Sequence, residues 1–339
     1  MKKSIKLTMV MLLAVTLVLS ACGKKNETGG NGATSNIKVG MVTDVGGVND
    51  KSFNQSAWEG LQSIKESDGV KVEYLQSTKA DDYVTNLNKF VKGGYDLTWG
   101  IGMSLEKDIK TVADQNKDAK LAIIDAVVDA PNVKSVTFSE NEGSFLVGVV
   151  AGLTTKTNKV GFIGGMQLPV IEKFAAGFQA GVKAVNPDAQ VMINYTGAFD
   201  KPDLGKTQAA TYYNDGADIL FPAAGATGTG VFNEGIARKK AGADVWVIGV
   251  DKDQSLEFGD EITLTSMIKR VDEAVKRVSK QVVDGTFTGG TETLGLKDNG
   301  VGIADTSSKN VSAEILAKVE DYKAKIISGE IVVPEAPTK

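Results

Sequence analysis

The stretch that decides the fold is Ile37–Gly60, IKVGMVTDVGGVNDKSFNQSAWEG, in which a short apolar segment leads into a polar loop and then a helix. The apolar residues of Ile37–Val42 predict a buried strand, and Gly46 and Gly47 predict the turn that follows it. Asp44 then lies at the carboxyl end of that strand. In an open α/β sheet, ligands bind outside the carboxyl ends of the strands. Asp44 is therefore a candidate ligand-binding residue.

Phe53 is an aromatic residue in a loop that otherwise contains Asp, Asn, Lys and Ser. One interpretation is that its ring stacks on a planar ligand. The alternative is that Phe53 staples the helix that follows, with Ser52 as the N-cap. The sequence leaves both open. The polar residues Asp50 and Asn54, on either side, are candidates for the rim of the same site.

Strand and helix patterns alternate along the rest of the chain, which predicts an α/β protein with parallel sheets. The segment Lys159–Gly165, KVGFIGG, repeats the form of Lys38–Val42, KVGMV, and a similar order of elements follows it. This restart predicts two Rossmann-like halves with a cleft between their carboxyl edges. The predicted domains are residues 37–155, completed by part of 271–309, and residues 156–270, completed by part of 310–339.

The first residues have the features of a secretory signal peptide, which we predict to span residues 1–21. Lysines precede the apolar run Leu7–Leu19, and this run is shorter than the ~20 residues of a membrane span. The residues Leu19-Ser20-Ala21-Cys22 resemble the lipobox of bacterial lipoproteins, in which the cysteine is lipidated. An ordinary signal peptide with a chance cysteine is the alternative. Residues 22–36 are polar and glycine-rich, which predicts a flexible tether.

Composition excludes several classes of function. The net charge is −4, and removing residues 1–21 takes away three lysines and no acid, so the remaining chain carries −7. An acidic protein binds polynucleotides poorly, so no nucleic-acid polymer is expected as a partner. The chain has no histidine and one cysteine, which excludes Ser-His-Asp and Cys-His catalysis, histidine-based zinc sites and disulfides. Carboxylate-pair chemistry stays open; we expect no metal and no cofactor.

Three aspartates end predicted strands: Asp44, Asp125 after LAII, and Asp251 after WVIGV. Carboxylates at these positions, with no histidine or metal-ligand cluster nearby, accept hydrogen bonds from hydroxyl and amine donors. They favour a polyol or a base with N–H edges as ligand. The alternative is that each aspartate caps the next helix or turn.

Three further residues are candidates for the same cleft. Phe199, in TGAFDKP of the second half, would form with Phe53 a two-sided stack on a flat ring; alternatively it anchors its own loop. Lys269 follows a predicted strand and is either in the cleft or a solvated charge. Gly225, in GATGTG, lies where a phosphate loop would, but the segment has no lysine and matches no phosphate-binding motif. It favours close approach of the backbone to a ligand.

Several motifs together carry a family resemblance: the lipobox, DKSFNQSAWEGL at Asp50–Leu61, FPAAGATG at Phe221–Gly228 and VIGVDKDQ at Val247–Gln254. The chain resembles the basic membrane protein family, and within it the PnrA-like purine nucleoside-binding lipoproteins of ABC importers. The resemblance extends from the lipobox to the terminal helix. It implies a type I periplasmic-binding-protein fold, in which two Rossmann-like domains joined by a hinge close on a ligand.

The resemblance also implies roles for individual residues. Phe53 and Phe199 would sandwich a purine, and Asn54 and Asp125 would hydrogen-bond its edge.

The sugar would be held by a second group of residues. Asp251 and Lys269 would bind the ribose hydroxyls, with Asp44 and the backbone of Gly225 close by.

The resulting expectation is a monomeric binding protein, not an enzyme, that captures purine nucleosides and delivers them to an ABC permease and its ATPase. A lipid on Cys22 would anchor it to the outer face of the cell membrane. The alternatives are a sugar or polyol receptor of the same fold and a surface antigen or adhesin. A Rossmann-type enzyme is disfavoured by the missing phosphate fingerprint and the missing histidines.

Overall fold

The strand predicted at the start of the decisive stretch forms an interior strand of a parallel sheet. In the computed structural model it spans Lys38–Val42, and Val39, Met41 and Val42 are fully buried. Both of its neighbours in the sheet run parallel to it. A strand covered on both faces needs apolar residues almost throughout, as this sequence has.

The structure describes residues 36–338. The predicted signal peptide, the lipidation site Cys22 and the predicted tether up to residue 35 lie outside the described residues. Within the described part, twelve strands and ten α-helices alternate, with four short 3-10 helices.

The strands are β1 (Lys38–Val42), β2 (Lys71–Leu75), β3 (Leu97–Ile101), β4 (Leu121–Ile124), β5 (Val133–Phe138), β6 (Lys159–Gly164), β7 (Gln190–Tyr195), β8 (Ile219–Ala223), β9 (Trp246–Asp251), β10 (Thr263–Lys269), β11 (Gly290–Leu294) and β12 (Val301–Ile303). The helices are α1 (Phe53–Asp68), α2 (Tyr83–Lys92), α3 (Glu106–Gln115), α4 (Glu140–Thr154), α5 (Pro169–Val185), α6 (Pro202–Asn214), α7 (Ala226–Lys240), α8 (Ser255–Phe258), α9 (Val271–Val283) and α10 (Ala313–Ile327). The 3-10 helices are Ala80–Asp82, Met103–Leu105, Leu296–Asp298 and Asp305–Lys309.

These strands form two six-stranded sheets with the same arrangement. The first has the order β11-β5-β4-β3-β1-β2 and the second β12-β10-β9-β8-β6-β7. All pairs are parallel except β10 with β12, which is antiparallel. Each strand of the first sheet therefore has a positional equivalent in the second, for example β4 and β9. The predicted α/β class with two Rossmann-like halves is confirmed.

The chain passes between the two halves at three crossovers. The first lies at Ser139 between β5 and α4, the second at Arg270 between β10 and α9, and the third at residues 295–300 between β11 and β12. Helix α9 packs on α1, whereas α4 and α10 pack together and α4 also packs on α5. The predicted domain boundary at residue 155 lies after α4, and the domain limits stay a prediction.

No helix within residues 36–338 combines the length and the apolar character needed to cross a membrane. Helix α4 is the most buried of the long helices, yet it has only fifteen residues. Its apolar surface is covered by α5, α10 and the second sheet.

One close helix contact in the second half depends on glycine in α5. A Cβ added at Gly181 would lie 2.0 Å from the carbonyl oxygen of Phe145 in α4. We expect Gly181→Ala to lower the free energy of unfolding by about 3 kcal/mol or more, because two backbones would have to separate. Urea denaturation measures this. Gly302→Ala is the matched control, since a Cβ there meets nothing within 4 Å; equal stability of the two variants would contradict the close packing.

Candidate functional site

A cleft opens between the carboxyl ends of the strands of the two sheets. Its walls come from both halves. All eight residues that the sequence singled out for ligand binding line it: Asp44, Phe53, Asn54, Asp125, Phe199, Gly225, Asp251 and Lys269. The structure thus brings them together, while their individual roles toward a ligand stay predictions.

Two of the aspartates have the same unusual backbone conformation. Asp125 directly follows β4 and has φ of +71°, and Asp251 ends the equivalent strand β9 and has φ of +65°. A residue with a Cβ rarely adopts this left-handed region, although Asp and Asn tolerate it better than most. At the end of a strand, this conformation turns the chain sharply, and both aspartates line the cleft. Backbone strain of this kind clusters at functional sites.

Lys269 is the cation of the cleft and is almost completely buried, with 1% of its side chain exposed. Its Nζ donates to Asp125 at 2.7 Å and lies 3.0 Å from Oε1 of Glu140. The alternative of a solvated end-of-strand lysine is therefore wrong. Burial by itself lowers the pKa of Lys269, but the nearby carboxylates of Asp125, Glu140 and Asp251 outweigh it and raise the pKa, so the ammonium stays charged.

The loop before α1 is fixed by Asp50. Its carboxylate accepts from the backbone N–H groups of Ser52 (3.0 Å), Asn54 (2.8 Å) and Gln55 (3.1 Å), and so provides the cap of α1. Ser52 occupies the N-cap position but makes no capping bond; its hydroxyl donates to Asp251 in the other half. Ser52 therefore has the N-cap position that the alternative gave it, but its hydroxyl joins the two halves instead of capping the helix.

Asn54 projects from the first turn of α1 into a cluster of carboxylates. Its Nδ2 donates to Asp44 at 2.8 Å and to Asp50 at 3.0 Å. Its Oδ1 is buried and has no hydrogen-bond partner among the described residues. Asp44 also accepts from the backbone of Gly46 at 2.9 Å. The Asn54 side chain is therefore held in one orientation at the cleft wall, and its Oδ1 can accept a hydrogen bond from a ligand.

Phe53 is the first residue of α1 and is half-buried at the cleft wall. A hydrophobic staple uses the residue before the N-cap. Phe53 follows the N-cap residue Ser52, so the alternative that it staples the helix is wrong. The ammonium of Lys269 lies 5.1 Å from the centre of the Phe53 ring. A Cβ at Gly102, which also lines the cleft, would lie 3.4 Å from the ring, so the backbone approaches the ring closely there.

Phe199 lines the cleft from the second half and also packs on its own half. A Cβ at Gly165 would lie 2.4 Å from the Phe199 ring, so glycine there makes room for the ring. The carbonyl of Phe199 accepts from the backbone of Thr227 at 3.0 Å, at the start of α7. Gly225, just before α7, has φ of +54° and brings its backbone to the cleft beside Phe199. Phe199 therefore both anchors its own loop and lines the cleft.

Burial perturbs the carboxyl groups of the cleft strongly. Loss of water is the main cause that raises the pKa of Asp44, Glu140 and Asp251 to about 7 in each case. It also raises the pKa of Asp50, although four hydrogen bonds to its carboxylate act in the opposite direction. Asp44, Glu140 and Asp251 therefore titrate near neutral pH, and the buried carboxyl groups outnumber the one buried ammonium.

Sequence reasoning missed Glu140, which lies beside Lys269, and the apolar cleft wall made by Leu168, Val170, Ile171 and Phe174. Glu140 begins α4, where acidic residues are common because they interact favourably with the helix dipole. The order Phe138-Ser139-Glu140, at the end of a buried strand, was the available signal. The apolar residues have the spacing of an ordinary helix face.

On one rim, polar contacts join the two halves. The Nε2 of Gln254 donates to the carbonyl of Lys51 at 2.9 Å, and Lys252 donates to Glu59 at 2.6 Å. Within residues 36–338, no group of three acidic side chains is arranged to hold a metal ion. The geometry suits reversible binding of a small molecule with a flat face and several hydrogen-bond donors.

Comparison with known proteins agrees with this geometry. Residues 37–337 match the family described as ABC transporter substrate-binding protein PnrA-like. The chain belongs to this family. The resemblance drawn from the sequence motifs is thus confirmed, and the family consists of substrate-binding proteins of ABC transporters and not of enzymes.

Individual relatives cover nearly the whole chain. The CD4+ T-cell-stimulating antigen of Listeria innocua is 46% identical, over 99% of both chains. The ABC transporter nucleoside-binding protein BmpA of Lactococcus lactis is 43% identical, over 98% of this chain and 99% of that protein. Among solved structures, an ABC transporter solute-binding protein from Aeropyrum pernix is similar with a TM-score of 0.82 and 32% identity, over 88% of this chain and 94% of its own. The periplasmic-binding-protein fold implied for this PnrA-like protein is confirmed.

The raised pKa values predict how stability depends on pH. In the native state Asp44, Glu140 and Asp251 bind protons below about pH 7, whereas in the unfolded chain such carboxyls bind them only below about pH 4. Between these values the native state holds more protons, so stability falls as pH rises. We expect the ligand-free protein to be more stable at pH 5.5 than at pH 8, by urea denaturation at each pH.

The matched pair of variants is Asp251→Asn and Asp129→Asn. Asparagine fits the left-handed backbone at position 251 and removes one buried carboxyl, so the pH dependence should weaken. Asp129 is exposed, and its replacement should leave the pH dependence unchanged. Equal stability of the wild-type protein at the two pH values would contradict the effect of burial on these carboxyls.

Proposed function

We propose that this protein captures purine nucleosides in the interdomain cleft and delivers them to an ABC permease and its ATPase. The observation that carries the proposal is the meeting of Phe53 and Phe199, from opposite halves, in one cleft with carboxylates and a buried lysine. The nucleoside-binding relative from Lactococcus lactis, 43% identical, supports the same ligand class.

The purine would lie between the rings of Phe53 and Phe199. Stacking of a base on an aromatic side chain contributes ~1–3 kcal/mol and does not depend on which base is present. Hydrogen bonds along the edge of the base would come from Asn54 and Asp125. The unpartnered Oδ1 of Asn54 is suited to accept an N–H of the base, because a buried acceptor without a partner is unfavourable.

The ribose would lie against Asp251 and Lys269. A carboxylate accepts hydrogen bonds from the vicinal hydroxyls, and an ammonium donates to their oxygens. Asp44 and the backbone of Gly225 would complete this side of the cleft. With side chains from both halves in contact with one ligand, movement at the three crossovers would assemble or release all contacts together.

The charge of the cleft supports an uncharged ligand. Four buried carboxyl groups, Asp44, Asp50, Asp125 and Asp251, line the cleft together with one ammonium, and a fifth, Glu140, lies against that ammonium. A phosphate ester would bring further negative charge into a buried site that already holds several carboxyl groups, and repulsion between charges is strong where water is excluded. Nucleosides therefore fit this cleft better than nucleotides do.

The site of action would be the outer face of the cell membrane. In this proposal the signal peptide is removed at Cys22, and a lipid on Cys22 holds the monomeric protein beside its permease. The relative in Listeria innocua, 46% identical, is a CD4+ T-cell-stimulating antigen. Recognition by the immune system is compatible with a surface position and would be a second consequence of it.

Calorimetric titration tests the proposed function. The protein is denatured and refolded to remove carried-over ligand, and then titrated with adenosine, guanosine, inosine, cytidine, AMP, ribose and galactose. We expect purine nucleosides to bind and the free sugars and AMP to give no signal. Sugar binding without nucleoside binding would contradict the proposal and favour a sugar or polyol receptor of the same fold.

The stacking role of Phe53 is tested by Phe53→Ala. We expect nucleoside affinity to fall by about 1–3 kcal/mol, the contribution of one stacked base, with adenosine and inosine affected alike. Calorimetry measures the affinity. Phe287→Ala is the control, because Phe287 is half-buried outside the cleft. Equal affinity of Phe53→Ala and the wild-type protein would remove the stacking role.

A further inference from the structure

Two of the three crossovers are joined by a buried ion pair. Glu140 directly follows the first crossover as the first residue of α4, and Lys269 directly precedes the second as the last residue of β10. Oε1 of Glu140 lies 3.0 Å from Nζ of Lys269, and each side chain is 1% exposed. Among residues 36–338, Lys269 is the only cation within 4.0 Å of Glu140.

The position of Glu140 relative to β10 is set by close packing of the first turn of α4. Gly143 lies three residues after Glu140, on the same side of α4. A Cβ at Gly143 would lie 2.5 Å from Cε of Met267 in β10 and 3.1 Å from Cβ of Val301 in β12. The first turn of α4 therefore rests directly on these two strands, which holds Glu140 beside the end of β10.

Lys269 has two kinds of partner. Asp125 belongs to the first half, so its 2.7 Å contact with Lys269 crosses between the halves and depends on how they are placed. Glu140 and Lys269 lie on elements that pack together in the second half, so their contact does not depend on that placement. Asp251 is the third carboxylate that acts on Lys269, and the rings of Phe53, Phe138 and Phe174 surround the ammonium at 5.1–5.5 Å.

We propose that Glu140 is a positioning residue that holds the Lys269 ammonium in place for the ligand. This inference rests on the proposed function, in which Lys269 binds the ribose hydroxyls. Asp125 and Asp251 are the other counter-ions of Lys269, and both are ligand-binding candidates themselves. Without the charge of Glu140, Lys269 would be drawn toward these two carboxylates, and the three groups would be less available to the ligand.

The test compares Glu140→Gln with Glu142→Gln in the full-length protein, purified in detergent. Glutamine keeps the size and removes the charge. Glu142 lies in the same first turn, and its carboxylate accepts from the backbone of Leu296 at 2.8 Å, away from Lys269. We expect Glu140→Gln to weaken adenosine binding about tenfold, the size of a typical coupling between contacting residues, and adenine binding much less. Glu142→Gln should change neither.

A double-mutant cycle with Lys269→Met shows whether Glu140 acts through Lys269. If it does, Glu140→Gln has no further effect on adenosine binding once Lys269 is replaced. An equal loss in both backgrounds, or an equal loss for adenosine and adenine, would show a merely structural role and overturn the proposal.

Thermal unfolding without ligand gives a second readout. It compares the wild-type protein, Glu140→Gln, Lys269→Met and the double variant. Because both partners are buried, we expect the double variant to unfold at a temperature no lower than Lys269→Met alone. If the decrease in melting temperature of the double variant equalled the sum of the two single decreases, Glu140 would not interact with Lys269 and the proposal would be wrong. If the wild-type protein binds no nucleoside, the proposed function is wrong, and the unfolding cycle still decides whether Glu140 holds the ammonium.

Discussion

A buried ammonium group without counter-ions costs several kcal/mol, and the arrangement of the cleft follows from how Lys269 is compensated. Asp125 comes from the end of β4, Glu140 from the start of α4 and Asp251 from the end of β9. The same ammonium lies against the ring of Phe53. The Lys269 ammonium thus contacts a residue beside a crossover, the carboxylates of the cleft and an aromatic ring. A displacement of Lys269 would change all of these contacts.

The two halves have the same backbone conformation at equivalent strand ends, but their side chains in the cleft differ. Asp125 and Asp251 end equivalent strands in the same left-handed conformation, and Gly102 and Gly225 follow the equivalent strands β3 and β8, also at positive φ. A doubly wound sheet turns its chain at these points toward the crevice. When two such halves face each other, equivalent turns lie on opposite walls. Residues that differ between the halves, such as Ser52 and Lys269, then decide what the shared geometry binds.

The sequence allowed the fold and much of the cleft to be predicted, because both depend on local patterns. The restart of strand and helix at Lys159 indicates the second half, and strand ends indicate Asp44, Asp125 and Asp251. What could not be predicted depends on contacts between distant segments. The pair of Lys269 and Asp125 is separated by 144 residues, and Glu140 at the start of a helix has the pattern of an ordinary first-turn acid. Likewise, only the folded chain shows that Asp50, and not Ser52, caps α1.

Capture followed by release requires contacts that form together and are lost together. In this cleft Ser52 and Asp251, and Asp125 and Lys269, join opposite halves, so separation of the halves breaks a hydrogen bond and an ion pair at once. The groups that separate are charged or polar, and water solvates them well once the cleft opens. Opening is then far less costly than the strength of each buried contact suggests. In the proposed cycle Glu140 would stay with Lys269 on the second half, so the ammonium would keep a partner after Asp125 had moved away.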